Sequence, residues 1–111
     1  MEKIVEQGLL YDFYGPLLTA HQQKIYEQLV YENLTLNEIA EREGISKQAV
    51  HDLIRRCTET LAGYEEKLHT IRTFRSLQES ADALLACVKE ERGPVSERVR
   101  ELAGEIKREL A

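Results

Sequence analysis

Two helix-start signatures stand eleven residues apart with a glycine between them, and this pairing limits the possible folds more than any other feature. Thr35-Leu-Asn-Glu38 places a hydroxyl where it can accept from the backbone three residues on, and a carboxylate where it can reach back. Ser46 repeats the start signal. Between them, Leu36, Ile39 and Ala40 give a short helix one buried face, and Gly44 supplies the positive φ that closes it. Ile45 then returns to the core, and Val50 and Ile54 hold the second helix against Ile39. Ala40 is small where two helices would cross closely. The pattern predicts a helix-turn-helix over residues 35–56.

The rest of the chain also reads as helix. Leu9, Leu10, Phe13 and Tyr14 form an apolar stripe over residues 5–14, stopped at Gly15-Pro16. Thr19-Ala-His-Gln22 caps a helix that runs to about Tyr31. From Ser46 onward a helical period continues through Cys57, Leu61, Tyr64, Leu68 and Ile71 and on to Val88. Ser76-Leu-Gln-Glu79 predicts a break near Arg75. Gly93-Pro94 is a firm stop, and a last helix follows over about 95–110. No alternating strand pattern persists. The expectation is an all-α protein, with a helix-turn-helix domain at 1–70 and a helical extension at 71–111 for dimerisation or docking. Cys57 and Cys87 lie on apolar stripes and read as small buried side chains.

Charge narrows the function. The net charge is −5, with no basic tail or block, so contact with a polyanion must be local. Residues 46–56 hold three basic side chains against one acid. The second helix of such a unit enters the major groove by its N-terminal part. Its exposed face would show Lys47, Gln48, His51, Asp52 and Arg55. Gln48 suits the bidentate edge of adenine, Arg55 a base or phosphate, and Lys47 and Arg56 phosphate. The competing reading is a solvated helix face in a protein-binding module.

Other chemistries find little support. His21, His51 and His69 lack ligand spacing, so no metal or other cofactor is expected. There is no phosphate-cradling glycine loop and no nucleophile elbow, and Glu65 and Glu66 point to different sides of a helix. The expectation is not an enzyme. No apolar run is long enough to cross a bilayer and no secretory leader is evident, which places the chain in the cytoplasm without membrane contact. The seam formed by Leu61, Tyr64, Leu68, Ile71, Leu77 and Leu84 needs a cover. A homodimer is the favoured cover, and a hairpin folded back at Gly93-Pro94 is the alternative.

Several segments together resemble the YlxM-like family of small bacterial helix-turn-helix proteins. They are Leu10-Tyr-Asp-Phe-Tyr14, Leu17-Leu-Thr-Ala-His-Gln22, Glu38-Ile-Ala40, Ser46-Lys-Gln-Ala-Val-His-Asp52 and Tyr64-Glu-Glu-Lys-Leu68. Residues 19–61 are similar to the promoter-binding region four of sigma factors. The resemblance covers about the first 70 residues and implies an all-α, sigma-like helix-turn-helix fold with no catalytic residue. It also implies a regulatory role in the signal recognition particle pathway. The partners it suggests are DNA or the particle's RNA or, for an adaptor that keeps the helix-turn-helix as scaffold, the particle's GTPase.

Overall fold

The computed structural model describes residues 3–89 and 93–110, and every regular element in them is helical. The α-helices are α1 (Lys3–Tyr14), α2 (Ala20–Val30), α3 (Leu36–Glu43), α4 (Lys47–Leu68), α5 (Thr70–Val88) and α6 (Pro94–Leu110), with a 3₁₀ turn at Gly15–Leu17. Among the described residues no helix is long and apolar enough to cross a membrane. The chain forms two compact units, residues 1–71 and 72–111.

The helix starts follow from the capping chemistry. Thr35 Oγ1 accepts from Glu38 N at 3.1 Å, and Thr35 N donates to Glu38 Oε1 at 2.9 Å. Thr19 and Gln22 make the same reciprocal pair at the head of α2. Gly44 sits at φ 70° and ends α3, which allows the chain to turn sharply into Ser46 and α4. Thr35→Ala should lower unfolding stability by about 1 kcal/mol, measured by urea titration. The Thr35 bonds also hold the Glu38 carboxyl below its ordinary range. A lowered folded pKa stabilises the protein above the ordinary carboxylate range, and that contribution fades as pH falls through the lowered value. Glu38→Gln keeps an acceptor without titrating, so its stability should fall less between pH 5 and pH 3, about the range of an ordinary carboxylate.

The first unit closes around one core. Ile25, Tyr26, Ile39, Val50, Cys57 and Leu61 are fully buried, joined by Tyr11, Tyr14, Leu18, Ala40, Ile54 and Ile71. Tyr11 and Tyr26 stack with ring centroids 5.4 Å apart. Tyr26 OH and Thr58 Oγ1 share a hydrogen bond of 2.8 Å, Gln7 Nε2 donates to the same Thr58 oxygen, and Thr58 donates to the carbonyl of Ile54. This thread pairs the Tyr26, Gln7 and Thr58 polar groups inside the unit, whereas the buried Gln28 Oε1 has no hydrogen-bond partner among the described residues. Burial pushes the Cys57 thiol above its ordinary pKa.

Besides Ile45, which is exposed at the turn into α4 and does not return to the core, three expectations are corrected. The break in the long helix lies at His69, not near Arg75. His69 takes a left-handed conformation (φ 55°) and α5 starts at Thr70. Tyr14 OH donates to Glu65 Oε1 at 2.6 Å, the same carboxylate accepts from Ile71 N at 2.9 Å, and Thr70 N donates to Tyr14 OH. These bonds cap α5, so Ser76 lies inside a helix. Second, α1 covers much of the expected seam. Leu61 and Ile71 are closed into the first unit's core and Tyr64 is half-buried beside Tyr14, which leaves only Leu68, Leu77 and Leu84 of that set exposed. Third, Cys57 is buried as expected, but Cys87 is exposed.

Candidate nucleic-acid interface

The core orients α4. Val50, Ile54, Cys57 and Leu61 turn one face of the helix inward, and Ser46 Oγ accepts from Ala49 N at 3.0 Å to fix its first turn. The opposite side of the first three turns is open. Lys47, Gln48, His51, Arg55 and Arg56 are all exposed. At 100° per residue, Lys47, Gln48, His51 and Arg55 fall within an arc of about 100°. The structure therefore brings four of the five sequence-derived residues onto one strip.

Arg56 stands apart, about 100° further round from Arg55. It lines a shallow groove between α4 and the start of α2, together with Thr19, His21, Gln22, Asp52 and Leu53. His21 is absent from the contacts expected from sequence. Its position just inside the Thr19–Gln22 capping box puts it on an exposed first turn, but its nearness to Arg56 is a tertiary fact.

The strip is nearly neutral as it stands. Gln48 Nε2 donates to Asp52 Oδ1 at 3.0 Å, Arg55 Nη1 donates to Glu59 Oε1 at 3.2 Å, and His51 Nδ1 lies 3.7 Å from Asp52 Oδ1. Both members of the Arg55–Glu59 pair are half-exposed or more. Such pairs hold long side chains only weakly, so these donors can exchange their acid partner for another acceptor at little cost. On the neighbouring helices, Lys24 pairs with Glu43 and Arg42 with Glu32, while Glu38 and Glu41 are exposed on α3. Gln28 is buried and donates to Glu43 Oε2 at 3.1 Å; this bond is the main reason the Glu43 carboxyl sits below its ordinary range. Lys47, Arg55 and Arg56 are exposed together on the first three turns of α4, while Lys24 and Arg42, each exposed and paired with one acid as Arg55 is, lie on α2 and α3. Among the described residues no cluster of His, Cys, Asp or Glu is placed to hold a metal ion.

The family model of UPF0122, "Putative helix-turn-helix protein, YlxM / p13 like", matches residues 1–98. UPF0122 protein STH1464 of Symbiobacterium thermophilum is 43% identical over 88 residues, covering 76% of this chain and 82% of the relative. The UPF0122 protein of Desulforamulus reducens is 45% identical over 74 residues, 67% of this chain and 63% of its own length. That of Clostridium kluyveri is 35% identical over 85 residues, 77% of each.

Proposed function

The chain belongs to the UPF0122 family of YlxM/p13-like helix-turn-helix proteins, and we propose that it is a non-enzymatic, cytoplasmic regulator that binds a nucleic-acid duplex through the first three turns of α4. The observation that carries this reading is the exposed strip of Lys47, Gln48, His51 and Arg55 on a helix that is capped at its start and locked by its core face. A helix presented this way enters a major groove with its N-terminal residues at the base edges. Gln48 and Arg55 carry the readout chemistry, Lys47 and Arg56 the phosphate contacts, and His51 lies between the two readout residues.

Anisotropy titration of the full chain against a pooled random duplex and against signal recognition particle RNA tests it. Only Lys47, Arg55 and Arg56 supply firm positive charge on and beside the strip, so the slope of log affinity against log salt should be roughly −3 or shallower for each bound chain. Asp52→Asn removes the acid beside the strip that holds Gln48 and should tighten binding at low salt. Flat titrations at low salt with both nucleic acids would end the proposal.

A second reading has its own support. Gln48 and Arg55 are already engaged by Asp52 and Glu59, and the net charge is −5, a surface as suited to a protein as to a polyanion. On that reading the chain is an adaptor of the signal recognition particle GTPase. A pull-down with that GTPase, repeated after nuclease treatment, separates the two: an adaptor keeps its partner.

A further inference from the structure

The second unit has too little core for its size. Among the described side chains of residues 72–111, only Ala81 and Ala103 are buried. Its helices run antiparallel: Lys107 Nζ meets Asp82 Oδ1 at 2.6 Å, and Arg100 Nη2 donates to the carbonyl of Val88 at 2.7 Å. A unit of about 40 residues that buries so little usually depends on oligomerisation or a staple.

The charge pattern of α5 shows where the missing contact lies. Its four charged residues, Arg72, Arg75, Glu79 and Asp82, fall within about 80° of arc. The remaining arc of about 280° carries no charge, whereas a single partner surface needs an apolar stripe of only about 100°. α6 occupies one part of it. The rest is open: Leu77 is 47% exposed and Leu84 40%, and Ser80 and Cys87 are exposed as well. Helical geometry puts Leu77 and Leu84 on the same side of the hairpin as Leu102 and Ile106, which are 40% and 48% exposed. The Lys107–Asp82 ion pair lies on the other side.

We infer that this uncharged face of α5, with Leu102 and Ile106 beside it, is the seam on which a second copy of the chain packs, so that two hairpins close into a four-helix bundle. A two-fold interface sets one patch against itself. A charged patch would oppose its own copy, whereas a neutral face of leucines and small residues is complementary to itself. Ser80 lies on this face one turn from both Leu77 and Leu84 and midway along the helix, so it stands near its counterpart across the two-fold. The inference deepens the expectation of a homodimer by naming its seam, and it does not depend on whether α4 binds nucleic acid.

Sedimentation velocity of the full chain, together with crosslinking of Ser80→Cys in a Cys87→Ser background by a short bis-maleimide, tests it. The chain should sediment as a dimer, and Ser80→Cys should give a covalent dimer. Leu84→Glu and, independently, Ser80→Glu should sediment as monomers while the first unit keeps its helical circular dichroism. A parent chain that is monomeric at every soluble concentration overturns both dimer and seam. A dimer that survives both glutamates and is not joined through Ser80→Cys overturns the seam alone. Duplex titration of the same variants reports separately on α4.

Discussion

Tyr26→Ala is expected to bring the helix-turn-helix unit close to unfolding. Tyr26 is fully buried, its ring stacks on Tyr11, and its hydroxyl is bonded to Thr58, which Gln7 also reaches. Deleting a buried aromatic side chain costs about 3–5 kcal/mol, because the cavity it leaves closes only in part. That is a large share of the roughly 5–15 kcal/mol that holds a typical domain together. The thermal midpoint should fall on the order of 10–25 °C, read by circular dichroism. Tyr26→Phe keeps the ring and the stacking and loses one hydrogen bond, so its cost should be near 1 kcal/mol, about the net worth of such a bond. Similar losses for the two variants would mean that the hydroxyl, not the ring, organises this core. The phenol itself is held in its neutral form, since burial raises its pKa.

The second large effect concerns binding. On a duplex that the chain prefers, Arg55→Ala and Gln48→Ala should each cost about 1–3 kcal/mol, a loss of roughly 5- to 150-fold, and should relax the preference at the base pair each one reads. Lys47→Ala and Arg56→Ala should instead weaken every duplex to the same degree and reduce the salt slope by about 1 each. Competition titrations against preferred and scrambled duplexes at several salt concentrations distinguish the two classes. Uniform weakening by all four variants would mean that α4 makes phosphate contacts only. Unchanged affinity in Arg56→Ala would remove the groove beside α2 from the footprint, since Arg56 lies apart from the strip and lines that groove with His21.

What can be read from the residues divides along physical lines. The helix-turn-helix is legible because its determinants are local: Thr35 and Ser46 bond within three residues, and Gly44 takes its left-handed turn without help from elsewhere. The stop at His69 is not legible. A histidine at positive φ is uncommon, and here it is supported by Glu65 and by Tyr14, whose hydroxyl arrives from 56 residues away to meet Thr70 N. Periodicity shows that Leu61 and Ile71 need burial, but not that α1 covers them, since a stripe carries no record of its partner. The same periodicity turns Cys87 inward, yet it lies about 120° round α5 from the buried Ala81 and is exposed. In the candidate site, exposure of all five residues follows from helical phase. The bonds from Gln48 to Asp52 and from Arg55 to Glu59 are legible too, because each partner stands four residues on.

The first unit rests on contacts distributed over α1, α2, α3 and α4, so changes on the exposed strip should leave its fold intact. The strip can therefore be tested without destabilising its support. The most direct measurement is a backbone amide chemical-shift map of the full chain as a duplex is added. The account predicts that the perturbed amides cluster at residues 46–56 and at the start of α2 around His21, with the amides of α1 unmoved. Shifts centred on α1 or α5, with residues 46–56 silent, would contradict it.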